Sequence, residues 1–350
     1  MINSNIYTHD YVQHLTEELK ADRNLVERAL FAFGLLEALQ KVKLPFIFKG
    51  GTCLLLLLKE PKRLSTDIDI IVEPQINLDG YLTEVAKIFP FKRMEENVRK
   101  GKNNIQKRHF RFYYESPIQV NDTNIILDVV FENNPYDEVI NKEIKNRFLM
   151  VDLPKTFVKV PSIDCLLGDK LTAFAPHTIG IPFNVGKELE IIKQLNDIAS
   201  LSKEFSDFCI VKQTYLKVSE IEIGFRGISA DFKVCLVDTM QACLSIMSKG
   251  KILKEDYALY LNGIRRIKGH MIGYKYNPDI AVEQASIVLY MCCCIYADSE
   301  FNHNIDIQNY KSISKLPNEL KSLFYLKKFN IKAFSNLCES LKLVSLHKLL

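Results

Sequence analysis

The hydrophobic pattern changes period several times in the first half of the chain. Between residues 8 and 42 apolar positions recur at helical spacing and predict one or two helices. The stronger begins at Asn24 and keeps its apolar stripe through Leu39, as a helix that covers a sheet does. Leu44-Pro45-Phe46-Ile47-Phe48 is instead a continuous apolar and aromatic run and predicts a strand. Gly50 and Gly51 then let the backbone turn tightly and approach a ligand closely. Cys53 to Leu58 predicts a short buried helix. Asp67 to Val72 alternates and is rich in Ile and Val, which predicts a second strand. Leu78 to Phe89 reads as a helix behind it. Residues 91 to 108 are polar and basic (Arg93, Arg99, Lys100, Lys102, Lys107, Arg108) and predict an exposed loop or a short helix end. His109 to Tyr114 and Asn124 to Phe131 predict a hairpin around Asn121-Asp122, and Phe148 to Val151 and Phe157 to Val160 short edge strands.

The second half is helical by pattern. Pro161-Ser162-Ile163-Asp164 opens a helix with Ser162 as N-cap, running to about Phe174 and stopped by Pro176. A loop with Pro176, Gly180, Pro182 and Gly186 leads into a helix from Lys187 to Ser200. Further helices are predicted over Phe232 to Met247, Asp279 to Tyr296, Asn318 to Leu326 and Lys332 to Leu341. The expected organisation is a core over residues 1–160 with N-terminal helices, a helical pair over 161–202 that closes a ligand site, and a helical C-terminal domain over 203–350.

Composition adds limits. Apolar residues make up 47% and charged residues 25% of 350, which are ordinary globular values, and the net charge of +4 is too mild to argue for a nucleic-acid partner by itself. The Cys53 to Leu58 run is far too short for a bilayer, which needs about 20 apolar residues. The N-terminus has no basic-then-apolar signal pattern, so a cytoplasmic protein without a membrane partner is expected. Nine cysteines include no Cys-x-x-Cys, and Cys292-Cys293-Cys294 reads as buried small hydrophobes in a reducing compartment. Arg265, Arg266, Lys268, His270 and Lys275, beside Tyr274 and Tyr276, form a basic and aromatic cluster, either a solvated face or a contact for RNA.

The candidate chemistry lies between the first two strands. On a strand, residues i and i+2 share a face, so Asp67 and Asp69 point one way while Ile68 and Ile70 point into the core. Two such carboxylates repel unless a cation offsets them, and Mg²⁺, which takes hard oxygen ligands and holds substrate phosphates, is the expected one, with Mn²⁺ as a substitute. Asp128 lies inside the apolar run Asn124 to Phe131, where an unpartnered carboxylate is costly, and is the third candidate ligand.

Lys49-Gly50-Gly51-Thr52, then Arg63-Leu64-Ser65-Thr66-Asp67-Ile68-Asp69, then Asp128, resembles the polymerase β-like nucleotidyltransferase superfamily. The specific form is similar to the AbiEii/AbiGii-type toxin branch of type IV toxin–antitoxin and abortive-infection systems. That branch also carries a helical Glu-Lys-Leu-x-Ala pattern, matched by Asp169-Lys170-Leu171-Thr172-Ala173 with Asp169 for Glu. Its Lys/Arg-Asp-x-x-Asp-Leu pattern is approximated by Lys193-Gln194-Leu195-Asn196-Asp197-Ile198, with Gln194 for the first Asp. The resemblance spans roughly residues 25 to 200.

It implies an α/β (mixed α+β) fold: a nucleotidyltransferase core whose mixed sheet is flanked by helices, followed by a helical C-terminal domain. It implies transfer of NMP from an NTP to an acceptor hydroxyl, with pyrophosphate released. Asp67, Asp69 and Asp128 would hold the metal, with Asp128 also the general base. Lys49, Gly50, Gly51, Thr52 and Lys170 would bind the triphosphate, Arg63 and Ser65 would shape the nucleotide loop, and Asp197 would sit by nucleotide or acceptor. The implied acceptor is RNA, foremost the 3′ end of tRNA, and the antitoxin is encoded separately and forms no stable complex. A protein or small-molecule acceptor, and a nucleotide-binding module without turnover, are the alternatives.

Overall fold

The computed structural model describes residues 1–98, 107–120 and 123–350. The Asn121-Asp122 turn, and Arg99, Lys100 and Lys102 of the basic segment, lie outside the described residues. The chain divides into two compact units, residues 1–162 with 269–274, and residues 163–268 with 275–350.

Unit 1 opens with helices α1 (His9–Leu19) and α2 (Arg23–Lys41). Asp22 caps α2 by accepting from the backbone N–H groups of Asn24 and Leu25, and a nearly continuous apolar series from Val26 to Leu39 is buried. Strand β1 (Ile47–Lys49) runs directly into helix α3 (Gly50–Leu57). There follow β2 (Ile68–Val72), α4 (Leu78–Val85), β3 (Phe91–Glu96), β4 (Lys107–Tyr114), β5 (Thr123–Phe131), and the hairpin of β6 (Val139–Glu143) and β7 (Phe157–Pro161). The main sheet has the order β1-β2-β5-β4-β3. Only β2 and β5 run parallel; the other neighbours are antiparallel. The fold is thus mixed α/β, as the motifs imply.

Alternation along the strands separates two faces. Ile68, Ile70, Phe110, Phe112, Tyr114, Leu127 and Val129 are buried, and Tyr114 stacks on Phe31 of α2 with ring centroids 3.7 Å apart. The opposite face carries Asp69, Asp128 and His109. Residues 269–274 add to this unit, with His270 accepting from the Leu64 N–H at 2.7 Å and Met271 bridged to Arg63.

Two local expectations fail. Residues 91–96 form strand β3, not a loop or helix end. Lys92, Arg93, Glu95 and Glu96 gave that segment a loop-like polarity, but an edge strand needs only one ladder and tolerates charge, which discourages further pairing. Residues 148–151 form no strand beyond the single bridge of Val151 to Ile2, and the partner of β7 is β6, whose Asn-Lys-Glu ending disguised it.

Unit 2 is helical: α5 (Ile163–Ala173), α6 (Glu188–Leu201), α7 (Phe208–Arg226), α8 (Phe232–Met247), α9 (Lys254–Arg266), α10 (Pro278–Tyr296), α11 (Leu326–Phe329) and α12 (Ile331–Leu343). Its central helix, α10, is long and apolar enough to cross a membrane by composition, but its most apolar stretch is 67% buried within the protein, against α8 and α12. Cys292, Cys293 and Cys294 are free and buried there; burial pushes the Cys294 thiol up to about 12, so these are packing groups and not nucleophiles. Of the basic and aromatic cluster, Tyr276 is a core residue bonded to Gln284, and Arg266 is engaged by Glu188 at 3.4 Å.

Candidate active site

The turn between β1 and α3 is built around the acidic strand. Gly50 has φ +80°, and a Cβ at this position would overlap the Asp69 carboxylate. Only glycine gives both the left-handed backbone and the space. Gly51 has the same intimacy with the preceding loop: a Cβ would lie 2.6 Å from Arg63 Nη2 and 2.7 Å from Ser65 Oγ. Arg63 is buried and donates to the Leu64 carbonyl at 3.1 Å. Thr52 is fully buried and its hydroxyl donates to the Asp67 carbonyl at 2.6 Å, so it pins the entry to β2 and its hydroxyl is already spent. Helix α3 has no side-chain cap at Lys49, so the first-turn N–H groups of Gly50, Gly51 and Thr52 are not capped by that side chain. Lys49 extends over the Tyr136 ring at 5.7 Å.

Gly50→Ala is expected to lower transfer by on the order of 10²-fold, the scale of a misplaced catalytic group, while costing roughly 1–2 kcal/mol of stability for the left-handed backbone. A turnover assay beside a thermal melt checks this, and unchanged turnover would count against Asp69.

Strand register lines the polar groups up. Lys49 pairs with Asp69, Asp69 with Asp128, and Asp128 with His109, in one row across β1, β2, β5 and β4. Asp67 immediately precedes β2. His109 and Arg28 are among the side chains that meet these carboxylates. His109 Nδ1 is 2.5 Å from Asp128 Oδ1; since an ionised carboxylate only accepts, Nδ1 is the donor. Arg28 Nη2 of α2 lies 3.5 Å from Asp67 Oδ1. Helix α2 is anchored by its neighbour Glu27, which is buried and accepts from Ser116 Oγ at 3.0 Å and Thr123 Oγ1 at 3.4 Å. Burial pushes the Glu27 carboxyl above the usual range, and these hydrogen bonds partly offset that. Neither Arg28 nor His109 stands out in the sequence: α2 reads there as a covering helix and His109 as one position of a strand. Strand pairing of His109 with Asp128 could have been read from the hairpin register, but the turn residues did not fix that register.

Among the described residues no three acidic, histidine or cysteine side chains converge tightly enough to define a metal cluster. The donor set nonetheless suits a hard cation: two carboxylates in direct register on adjacent strands, a third just before β2, and a glycine that makes room for one of them.

Lys170 and Asp197 belong to unit 2. With the apolar Leu166, Leu167 and Leu171 on the same helix, the sequence places Lys170 on its polar side. It is instead buried, with Nζ 3.0 Å from Asp197 Oδ2 on α6 and 3.0 Å from Gln194 Oε1. The reason is tight packing on the other side of α5: a Cβ on Gly168 would sit 2.5 Å from the Val211 carbonyl of α7. With α5 drawn into the helical core, Lys170 needs a buried partner, and Asp197, 1% exposed, supplies it. Gln194, where the family pattern has an acid, therefore still serves Lys170 as an acceptor, but without charge.

Lys170→Ala is expected to destabilise unit 2 by roughly 3–5 kcal/mol, because it leaves a buried carboxylate uncompensated, whereas Lys170→Met combined with Asp197→Leu restores most of the loss. Denaturant melts of the three proteins decide this; a stable Lys170→Ala protein would mean the pair is not buried as described.

The family model for the nucleotidyl transferase AbiEii toxin of type IV toxin–antitoxin systems matches residues 34–228. Among solved structures, JHP933 from Helicobacter pylori is similar at 16% identity and a TM-score of 0.42, over 78% of this chain and 93% of that one. A second structure from H. pylori gives the same identity and TM-score, over 78% of this chain and 96% of that one. No curated protein matches the chain. The matched family segment spans more than half the chain and contains both glycines, all three aspartates and the Lys170 and Asp197 motifs, and the chain belongs to the AbiEii family of nucleotidyl transferase toxins of type IV toxin–antitoxin systems.

Proposed function

We propose that the protein transfers NMP from an NTP to a hydroxyl of an RNA acceptor, with the 3′ end of tRNA foremost, in the cytoplasm, where both substrates are found. The observation that carries this reading is the register row Asp69–Asp128–His109 beside the Gly50 turn. The acceptor oxygen forms a bond to the α-phosphorus, the α–β bridging P–O bond breaks, and pyrophosphate leaves. Asp128 takes the hydroxyl proton on a carboxylate oxygen, while His109 holds Oδ1 and fixes the carboxylate's orientation. Asp67, Asp69 and Asp128 would hold Mg²⁺, which supplies Lewis-acid stabilisation of the phosphoryl oxygens when bound. Arg28 keeps the Asp67 carboxylate in place and offsets part of the acidic charge. The first-turn N–H groups of α3 at Gly50, Gly51 and Thr52 are donors for the triphosphate, with Lys49 a nearby cation. Arg63 and Ser65 hold the loop that presents Gly51. The family pattern assigns Lys170 to the triphosphate; its first measurable duty is the ion pair with Asp197.

The family implies a separately encoded antitoxin, and we infer that it acts without a stable complex with this chain. Incubation of the purified protein with each α-labelled NTP, Mg²⁺ and total RNA tests the proposal. Label in tRNA supports it. Label only in protein or in a small molecule replaces the acceptor, and tight NTP binding without label replaces the enzyme with a binding module.

A further inference from the structure

We propose that a cavity beside the carboxylate row is a nucleobase subsite that prefers bases carrying an exocyclic amino group. The inference rests on the transferase reading for its choice of ligand and on unit 1 alone for its geometry. The cavity, about 440 Å³, lies between the ends of β1, β2 and β5 and the β6–β7 hairpin. This volume falls within the range of small-molecule sites, roughly 300–1,000 Å³. It shares the face of the sheet that carries the carboxylates. Ile47 and Ile71 in its wall are paired in register, and the next same-face rung is Lys49 and Asp69, about 6.5–7 Å along the strands. A nucleotide with its reacting phosphate at Asp69 therefore has this cavity within one sugar's reach.

The lining decides which part of a nucleotide fits. Glu73 and Glu132 stand at the C-terminal ends of β2 and β5, against a single cation, Lys159. That balance disfavours phosphate and favours a ligand that donates N–H groups. Phe157, 48% exposed, adds an aromatic side chain to the lining, and Ile71 an apolar one. A flat heteroaromatic ring with amino donors satisfies both, stacking on Phe157 and donating to the glutamates. Cytosine, adenine and guanine have such a group, and uracil does not.

The base could belong to the incoming NTP or to the terminal nucleoside of the acceptor, and the test separates them. Binding of CMP, AMP, GMP and UMP to the purified full chain is measured calorimetrically without Mg²⁺. UMP is expected to bind on the order of tenfold more weakly than the best of the other three. Glu73→Gln with Glu132→Gln is expected to erase that preference, and Phe157→Ala to weaken all binding by about tenfold through lost stacking. All three substitutions lie on exposed or half-exposed positions, outside the buried core. In the transfer assay, a change of NTP preference in the double glutamine variant assigns the pocket to the donor, and a change of acceptor-end preference at a fixed NTP assigns it to the acceptor. Equal binding of all four monophosphates, binding of none, or indifference to these substitutions overturns the proposal. A protein that transfers NMP with selectivity untouched by the variants keeps the transferase reading and loses the pocket. One that binds with the expected preference but transfers nothing keeps the pocket and loses the transferase reading.

Discussion

Asp69→Ala is expected to remove nucleotidyl transfer almost entirely, by roughly 10³-fold or more, with little change in fold. Asp69 occupies the middle of the polar row, paired in register with Lys49 on one side and Asp128 on the other, and Gly50 is shaped around its carboxylate. Loss of the group that would hold a metal against the phosphate removes several kcal/mol of transition-state stabilisation, and each 1.36 kcal/mol is tenfold in rate. The fold survives because the residues that hold β2 in place, Ile68, Ile70 and Val72, face the core, whereas Asp69 does not. Asp67→Ala is expected to behave alike, and in addition to release Arg28, which then has no carboxylate at Asp67 to hold it. The check is label transfer at matched concentration together with a thermal melt. Wild-type turnover in either variant would remove the carboxylates from the chemistry, and aggregation of both would show that they serve the fold.

The parts of the site that depend on short-range pattern were legible in the residues. A strand, two glycines and a second alternating strand specify the turn and the shared face of Asp67 and Asp69 without tertiary information. Arg28 and His109, which meet Asp67 and Asp128, were not legible, because they arrive from far along the chain. Arg28 comes from a helix 39 positions before Asp67, whose apolar stripe speaks only of covering the sheet. His109 reaches Asp128 through a hairpin register that no turn signal determines. Lys170 illustrates a different limit. A lysine on an amphipathic helix is normally exposed, and only the close approach of α5 to α7 at Gly168, with Asp197 on α6, makes burial tolerable. The edge strand β3 was hidden for the reason that suits it to an edge: its charges are what keep it from pairing further.

Expression of the protein alone in a bacterium is expected to arrest growth, and Asp128→Ala to relieve the arrest. Asp128 is flanked on β5 by Leu127 and Val129, both buried, and its carboxylate is held by His109. Asp128 lies on the polar face of the sheet, and under the proposed mechanism its carboxylate is the group that takes the acceptor's proton. Loss of a general base removes about 10²–10⁴-fold of the rate. A toxin slowed to that extent modifies acceptors more slowly than a growing cell replaces them, so the phenotype amplifies the kinetic defect into a difference between arrest and growth. His109→Ala leaves the base in place but unsteered, and is expected to give an intermediate arrest. The comparison is made at matched soluble protein levels, with growth after induction as the readout. Equal arrest by wild type and the Asp128 variant would place toxicity in binding and not in transfer, whereas an active wild type that leaves growth unchanged would point to an acceptor the cell can spare.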